Sequence, residues 1–224
     1  MKTAIVKSFW TVFKNRMGWF AAQARADRWE GELIIDLPAT PEEMSNSRQN
    51  PDSLPGDMII LTMTCSKSVI FQFRKDSYEI GAPEAVWDLN YLQFCSHVSD
   101  RFNIVGSYMD GEVAVAGAGN EPVRLTPFLH LHGDDLICFD LNQSGRIIYT
   151  GHDVQDPNGH EIAVDYLYFL DAWSCAGFPN VDNYIRSAWN GSRFDLSHPD
   201  VKPHQAQLGF QLPPGFTTPF NFNA

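Results

Sequence analysis

The clearest structural signals of the chain lie in residues 136–173, LICFDLNQSGRIIYTGHDVQDPNGHEIAVDYLYFLDAW. Residues 136–141 and 146–150 are apolar, β-rich runs, and the first is apolar on both faces apart from Asp140. The four residues between the runs end in Gly145, which is typical of a hairpin whose type I turn closes with a bulge. The pattern predicts a hairpin near the centre of a sheet.

A helix is predicted directly after this hairpin and the polar segment 152–161. Tyr166, Phe169, Leu170 and Trp173 follow one another at i, i+3, i+4 and i+7, so they form one apolar face. Asp165 precedes the first turn as a cap, and Gly177 ends the helix. We expect the aromatic face to pack on the sheet as core.

The rest of the chain predicts further strands and helices. Residues 4–25 carry an apolar stripe at helical spacing and a basic opposite face, and Asp110-Gly111 is a strong signal for a two-residue hairpin turn. The expected elements are helices at 4–25, 82–97 and 181–189; strands at 32–36, 58–64, 69–74, 103–109, 112–116 and 123–131, with 58–64 and 69–74 forming a hairpin; and a proline-rich loop at 38–56.

The fold class that follows is α+β, with a mostly antiparallel sheet of about six strands and packed helices. A chain of 224 residues that is 44% hydrophobic buries a substantial core, which excludes a disordered or fibrous protein. We expect a single domain over residues 1–191, in which 1–30 hold the N-terminal helix. Residues 192–224 contain five prolines and no sustained period, and they are expected to be a proline-rich C-terminal coil.

The charge balance limits the classes of partner. Lys and Arg number 16 and Asp and Glu number 27, which gives a net charge of −11. Such a field repels nucleic acid and anionic membranes and attracts a basic protein. We therefore expect neither direct nucleic-acid binding nor membrane binding.

The cysteines and the N-terminal segment indicate a cytoplasmic protein. Cys65, Cys95, Cys138 and Cys175 are widely spaced and form no CxxC pair, so they are expected to be free thiols in a reducing compartment. Lys7 and Lys14 interrupt the apolar residues of the first helix. The segment therefore matches neither a signal peptide nor a membrane span.

Residues 134–173 resemble the C-terminal half of the SUKH superfamily. The residues that carry the resemblance are Leu136, Cys138, Phe139 and Asp140 for a first strand, 147–149 with His152-Asp153 for a second strand and its exit, and 164–173 for the closing helix. We therefore describe residues 134–177 as a SUKH-like segment. Leu37-Pro38 matches a dipeptide in the family's N-terminal half, but the proline-rich loop that follows it does not.

The resemblance implies binding rather than catalysis, because many members look like bacterial immunity proteins that neutralise a cognate toxin. The charge agrees independently, since residues 134–171 hold eight acidic residues and one basic residue, Arg146. A nuclease must be positive to hold phosphate, so an acidic surface can occupy its active site. The candidate partner-binding residues are Asp134, Asp135, Asp153, Asp156 and Glu161; no cofactor and no catalytic residue is expected.

Two alternatives remain open. His130 and His132 lie two apart on a predicted strand, the geometry of a metal-binding pair in a cupin-type enzyme, and Asp134, Asp135, His152 and His160 could complete the ligands. The interpretation without a metal is that the two histidines simply lie on the polar face of the strand. The other alternative is a subunit of a larger assembly, with the proline-rich tail as a docking arm that can be removed without unfolding the body.

Overall fold

The computed structural model describes most of the N-terminal half and the central segments of the C-terminal half. The described residues are 2–46, 54–81, 86–89, 113–115, 123–130, 136–140, 145–150, 160–179, 195, 198–199 and 201–223. The helices are α1 (Lys2–Ala26), α2 (Pro41–Asn46), α3 (Gly56–Thr64), α4 (Tyr166–Cys175) and α5 (Val201–Gln207). Within these ranges no helix is both long and apolar enough to cross a bilayer.

The strands form two antiparallel sheets. The first sheet holds β1 (Glu30–Ile35), β2 (Ser68–Lys75), β3 (Tyr78–Gly81) and β4 (Trp87–Asp88); the second holds β5 (Val113–Val115), β6 (Val123–His130), β7 (Leu136–Asp140), β8 (Arg146–Thr150) and β9 (His160–Ala163). In the first sheet β2 is central, with β1 on one side and β3 and β4 on the other. In the second sheet the strands follow one another in chain order. The predicted α+β class with antiparallel pairing is confirmed, and the strands are divided between two sheets.

The predicted N-terminal helix is confirmed as α1, a 25-residue helix. Phe9, Phe13, Met17 and Phe20 are fully buried, as the helical spacing predicts. The buried face is wider than the sequence stripe and includes one charged residue, Arg16. Because α1 contacts β1, β2, α3 and α4, this wide face is needed to cover all of them.

The predicted central hairpin is confirmed as β7 and β8. Leu136 pairs with Thr150 and Asp140 pairs with Arg146, and Gly145 has the positive φ of 76° that a bulged turn requires. Ile137, Cys138 and Phe139 are all fully buried, so both faces of β7 are covered. The strand is therefore central, as the unbroken apolar run predicts.

The predicted helix after the hairpin is confirmed as α4. Asp165 caps it by accepting a hydrogen bond from the Tyr168 N–H at 2.9 Å, and Gly177 follows its end with φ 84°. Its four stripe residues are buried in one core that contains side chains from both sheets; these are Tyr166, Phe169, Leu170 and Trp173. The helix thereby joins the two sheets, because its rings contact Phe71 of β2 and Phe128 and Phe139 of the second sheet.

The predicted strand at 58–64 is wrong, since these residues belong to helix α3. Short apolar runs fit a buried strand or a buried helix equally well, and residue type alone favoured the strand. The buried residues are Met58, Leu61 and Thr62, which is the spacing of a helix face. Contact with α1 and α4 decides between the two states.

Two other local predictions are corrected. Trp87 and Asp88, expected inside a helix at 82–97, form strand β4 against β2. Part of the expected loop at 38–56 is helix α2, which begins with a capping box: the Glu43 N–H donates to Thr40 Oγ1 at 3.1 Å, and the Thr40 N–H donates to Glu43 Oε2 at 2.8 Å. The signal for that helix, Thr40-Pro41-Glu42-Glu43, is present in the sequence.

The proline-rich tail is not a coil throughout. Residues Val201–Gln207 form α5, and His204, Leu208 and Phe216 are buried. Leu208 and Phe216 belong to the same core cluster as α1 and α4. The described part of the tail therefore packs against the body and does not project from it as a docking arm.

Several predictions lie outside the described residues. These are the Asp110-Gly111 turn, the short helix at 181–189, and most of the polar loop at 152–161. At the end of that loop, His160 and Glu161 are described and form the start of β9. Among the cysteines, Cys65, Cys138 and Cys175 are free thiols, as expected, and Cys95 lies outside the described ranges.

Candidate functional site

One end of the second sheet brings together the strand ends to which the predicted acidic residues are attached. Leu136, the first residue of β7, pairs with His130 on one side and with Thr150 on the other. His160, the first residue of β9, pairs with Tyr149 next to Thr150. Four strand ends therefore lie side by side at this end of the sheet, and we call it the acidic end.

Four of the five predicted partner-binding residues belong to the two connections at the acidic end. Asp134 and Asp135 are in the segment 131–135, which links His130 to Leu136, and Asp153 and Asp156 are in the segment 151–159, which links Thr150 to His160. These four residues lie outside the described ranges, so only their attachment to the acidic end is observed. Antiparallel order explains the attachment, because every second connection returns to the same edge.

Glu161, the fifth predicted residue, is described and half-buried on β9. Its Oε2 accepts a short hydrogen bond from Arg146 Nη1, so the two side chains form an ion pair. Arg146 also lies 3.3 Å from Asp140 Oδ2, whose side chain is 2% exposed. The negative charge of Glu161 is therefore partly offset by Arg146, and its availability to a partner is reduced.

Sequence reasoning noted Arg146 as the single basic residue of its stretch but missed its role. Asp140 and Arg146 are cross-strand neighbours in the hairpin, and Glu161 pairs with Ile148 on the next strand. A guanidinium group has five donors and can bind two carboxylates at once. Arg146 thus ties β7, β8 and β9 together, and a lone arginine in an acidic stretch was the available signal.

The remaining acidic residues of residues 134–171 have structural roles. Asp165 caps α4, and Asp171 is buried beside Arg16. Burial raises the pKa of Asp165 above its usual value, and the neighbouring Asp57 carboxylate raises it further. Asp140 and Glu161 are bound to Arg146, so four of the eight acidic residues have contacts in the described part of the chain, and the other four are the aspartates of the two connections, which lie outside it.

A buried polar cluster, which the sequence reasoning missed, joins α1, α4 and the tail. Arg16 Nη1 donates to Asp171 Oδ1 at 2.6 Å and to Ser174 Oγ at 2.8 Å, and Nη2 donates to the Thr218 carbonyl. Asp171 Oδ2 accepts a hydrogen bond from the Phe220 N–H at 2.9 Å. Both charged side chains are about 95% buried, at 5% and 6% exposure. The signal was a charged residue within the apolar stripe of α1.

His204 forms a second buried contact between the tail and the body. Its Nε2 lies 3.2 Å from the Gly177 carbonyl oxygen, and its Nδ1 is in close contact with the Tyr78 hydroxyl. Because a carbonyl only accepts, Nε2 carries the proton and Nδ1 accepts from Tyr78. Burial lowers the pKa of His204 to about 4, so the ring is neutral at neutral pH.

The free thiol of Cys175 is unsuited to nucleophilic catalysis. Burial is the main cause that raises its pKa to about 12, and the nearby Asp171 carboxylate adds to the effect. The thiolate is the reactive form of cysteine, and it is scarce at neutral pH when the pKa is this high. Cys175 therefore packs as a small apolar side chain.

The alternative metal site gains no support from the strand order. His130 and His160 are on β6 and β9, three strand spacings apart, or about 14 Å from the usual spacing between neighbouring strands. That separation is at or beyond the span of two histidines on one ion. No group of three or more metal-binding side chains occurs among the described residues, and His132, Asp134, Asp135 and His152 lie outside them.

Comparisons with known proteins do not assign the chain to a family. No family model matches it, and neither the curated proteins nor the solved structures contain a significant match. The function proposed below therefore depends on charge, chain order and the resemblance of residues 134–173 to the SUKH superfamily.

Proposed function

We propose that the protein is a cytoplasmic immunity- or antitoxin-like protein that binds and neutralises a basic toxin through its acidic end. The toxin is of the nuclease type, and the acidic residues that contact it are Asp134, Asp135, Asp153 and Asp156, with Glu161 at their border. The protein binds its partner and performs no bond chemistry of its own.

The observation that carries the proposal is the arrangement of strand ends in the second sheet. Both connections that hold the four aspartates are attached to the same edge, and Arg146, the one basic residue in this part of the sequence, is occupied by Asp140 and Glu161. We infer that the four aspartates keep their negative charge available for a partner. A surface of this kind increases the association rate with a basic partner and makes that rate sensitive to salt.

The resemblance to the SUKH superfamily supports the same function. Its expected order of strand, turn, strand, acidic loop and aromatic helix corresponds to β7, β8 and α4, with β9 added before the helix. The free thiols of Cys65, Cys138 and Cys175 suit a reducing compartment, in which disulfides are rare. Both points support a cytoplasmic binding protein.

The proposal is tested by charge reversal of Asp153 and Asp156. The probe is a basic nuclease-type toxin domain, sought first in the reading frames next to the gene. The Asp153→Lys/Asp156→Lys variant and the wild-type chain are mixed with it, and association rates are measured at several salt concentrations. We expect the variant to associate roughly tenfold more slowly at low salt, with a flatter salt dependence.

The matched control is the Asp36→Lys/Glu42→Lys variant, which changes the net charge equally at exposed positions far along the chain from the second sheet. An equal effect of both variants would show diffuse attraction and contradict a specific acidic end.

A stoichiometric transition metal in untagged protein, lost in a His130→Ala/His132→Ala variant, would favour the metal-dependent enzyme.

A further inference from the structure

The outer edge of β1 is open to solvent. Strand β1 pairs with β2 on one side, and in the described part of the chain no strand lies on its other side. Glu30, Gly31 and Glu32, in the first half of the strand, are exposed to solvent. An open edge presents unpaired N–H and C=O groups that can pair with another extended chain.

The register identifies which backbone groups point to the outer edge. The Asp36 N–H donates to the Ser68 carbonyl at 3.0 Å, which makes these two residues a hydrogen-bonded pair in the antiparallel register. Hydrogen-bonded and non-bonded positions alternate along an antiparallel strand. Leu33 and Ile35 are therefore the non-bonded positions, and their N–H and C=O groups point away from β2.

The side chains along this edge are acidic and apolar. Glu30, Glu32 and Ile34 share the face of the strand that is turned to solvent, and Ile34 is 43% exposed. Leu37, just beyond the strand, is 80% exposed. The opposite face, with Leu33 and Ile35, packs against the core. Residues 30–37 contain three acidic residues and no basic one.

We propose that β1 is a docking edge for an extended basic segment of a partner protein, which adds to the first sheet as a further strand. Lys or Arg of that segment lies opposite Glu30 and Glu32, and an apolar residue lies opposite Ile34. Opposite charges at directly facing positions stabilise strand pairs, whereas like charges destabilise them. The main-chain groups of Leu33 and Ile35 bind the backbone of the added strand.

The same charges disfavour a second copy of this chain as the occupant in the registers that pair most of the strand. Antiparallel pairing of two β1 strands about Glu32 sets that residue opposite itself, and pairing about Leu33 sets Glu30 opposite Asp36. Both arrangements place like charges in direct opposition. This docking edge is in the first sheet and is separate from the acidic end in the second sheet, so it goes beyond the proposed function.

Amide exchange on the full chain tests strand addition directly. The probe is an octapeptide with Lys at its fifth and seventh positions and Val at the others, so that antiparallel addition sets Lys opposite Glu32 and Glu30 and Val opposite Ile34. Its control is the same peptide with alternate amides N-methylated, which removes donors from one edge. We expect saturating peptide to slow exchange at Leu33 and Ile35 roughly tenfold, with little change at Glu32 and Ile34, which already bond to β2. The N-methylated peptide, whose donors on the edge that faces β1 are removed, should not slow exchange at these two residues.

A pair of variants tests the charge complementarity. Glu30→Gln/Glu32→Gln should weaken peptide binding roughly tenfold. Glu42→Gln/Asp76→Asn removes the same charge from exposed positions elsewhere, keeps a residue suited to the positive φ of 56° at position 76, and should leave binding unchanged.

Three results would overturn the proposal. The first is unchanged amide exchange at Leu33 and Ile35 when peptide is added. The second is equal weakening of peptide binding by the two double variants, and the third is concentration-dependent dimerisation through β1 without peptide. The Asp153→Lys/Asp156→Lys variant keeps β1 intact and is expected to bind the peptide normally. Failure at one surface is therefore distinguishable from failure at the other.

Discussion

At the scale of single residues, Arg16 shows how a charge within an apolar stripe is held. Its two terminal nitrogens donate to Asp171 and Ser174 of α4 and to the Thr218 carbonyl of the tail, whereas its buried Nε has no partner among the described residues. Isolated burial of a charge is unfavourable, and a partner with additional hydrogen bonds offsets that penalty. The cluster therefore sets the position of the tail against α1 and α4.

Replacement of Arg16 by Met should destabilise the protein strongly. The variant leaves Asp171 buried without its cation, and breaking a buried pair in this way costs about 3–5 kcal/mol in the free energy of unfolding. Urea denaturation measures the change. Lys14→Met, at an exposed position on the same helix, serves as the control and should stay within ~0.5 kcal/mol of the wild type. A similar small change for Arg16→Met would contradict a stabilising role for the cluster.

His204 should make stability depend on pH in a defined window. In the unfolded chain a histidine titrates near 6.5, whereas burial lowers the folded pKa of His204 to about 4. Above pH 6.5 the ring is neutral in both states. As pH falls from 6.5 to 4 the unfolded state binds the proton first, so stability is lost, by about 3 kcal/mol at the lower limit.

Urea denaturation at pH 7, 5.5 and 4.5 measures the effect of His204. The control is His204→Gln, which can still hydrogen-bond to Tyr78 and Gly177 but does not titrate. The wild type should lose more stability than this variant across the window. Parallel losses in the two proteins would show that other groups account for the acid sensitivity.

At the scale of elements, the sequence predicts long periodic segments well and short ones poorly. Helices α1 and α4 and the β7–β8 hairpin follow from periodicity and turn residues, and their caps and glycines agree with the local signals. The seven apolar-rich residues at 58–64 fit a strand and a helix equally well, and the structure places them in helix α3. Tertiary contacts override the β propensity of such a short run.

The first sheet depends on Gly31 because β1 approaches β2 closely there. Gly31 has φ 146°, and a Cβ at this position would lie 2.1 Å from the Gln72 carbonyl oxygen. Gly31→Ala should therefore destabilise the protein by more than ~1 kcal/mol, through strain and displacement of β1. Thermal and urea denaturation measure this effect.

Gly18 is the matched control for Gly31. It is an exposed glycine inside α1, and a Cβ there would meet nothing within 4 Å. Gly18→Ala should stabilise the protein by about 0.5–1 kcal/mol, because alanine has less backbone entropy to lose. The two substitutions are chemically identical, so an effect of the same sign in both would contradict the close approach at Gly31.

At the scale of the whole molecule, the tail completes the core. Phe216 contacts Trp19 with ring centroids 5.1 Å apart, Phe210 contacts Phe20 at 5.2 Å, and Phe222 contacts Phe9 at 5.4 Å. The tail also supplies the Thr218 carbonyl and Phe220 N–H to the Arg16 cluster. Much of the apolar face of α1 is therefore covered only when the tail is in place.

Truncation after residue 200 should abolish cooperative unfolding. Burial of Leu208 and Phe216 contributes about 1.5–3 kcal/mol each, and loss of the Arg16 contacts adds to this. The total is comparable with the stability of a typical domain. Urea denaturation and dye binding to exposed apolar surface measure the outcome, and deletion of residues 223–224 is the control. A truncated chain that unfolds cooperatively at the same urea concentration would show that the tail is dispensable.

The α+β class, the β7–β8 hairpin, helices α1 and α4 and the negative net charge can all be read from the amino-acid sequence. The hairpin and the helices follow from local periodicity and turn residues, which act over a few residues, and the net charge follows from counting charged residues. Three features become evident only in the folded chain: 58–64 is a helix, Arg146 binds Asp140 and Glu161, and Arg16 and His204 hold the tail against the body. The physical reason is that a buried charge or a short apolar run is stabilised by whichever distant groups pack against it, and local sequence does not specify those groups.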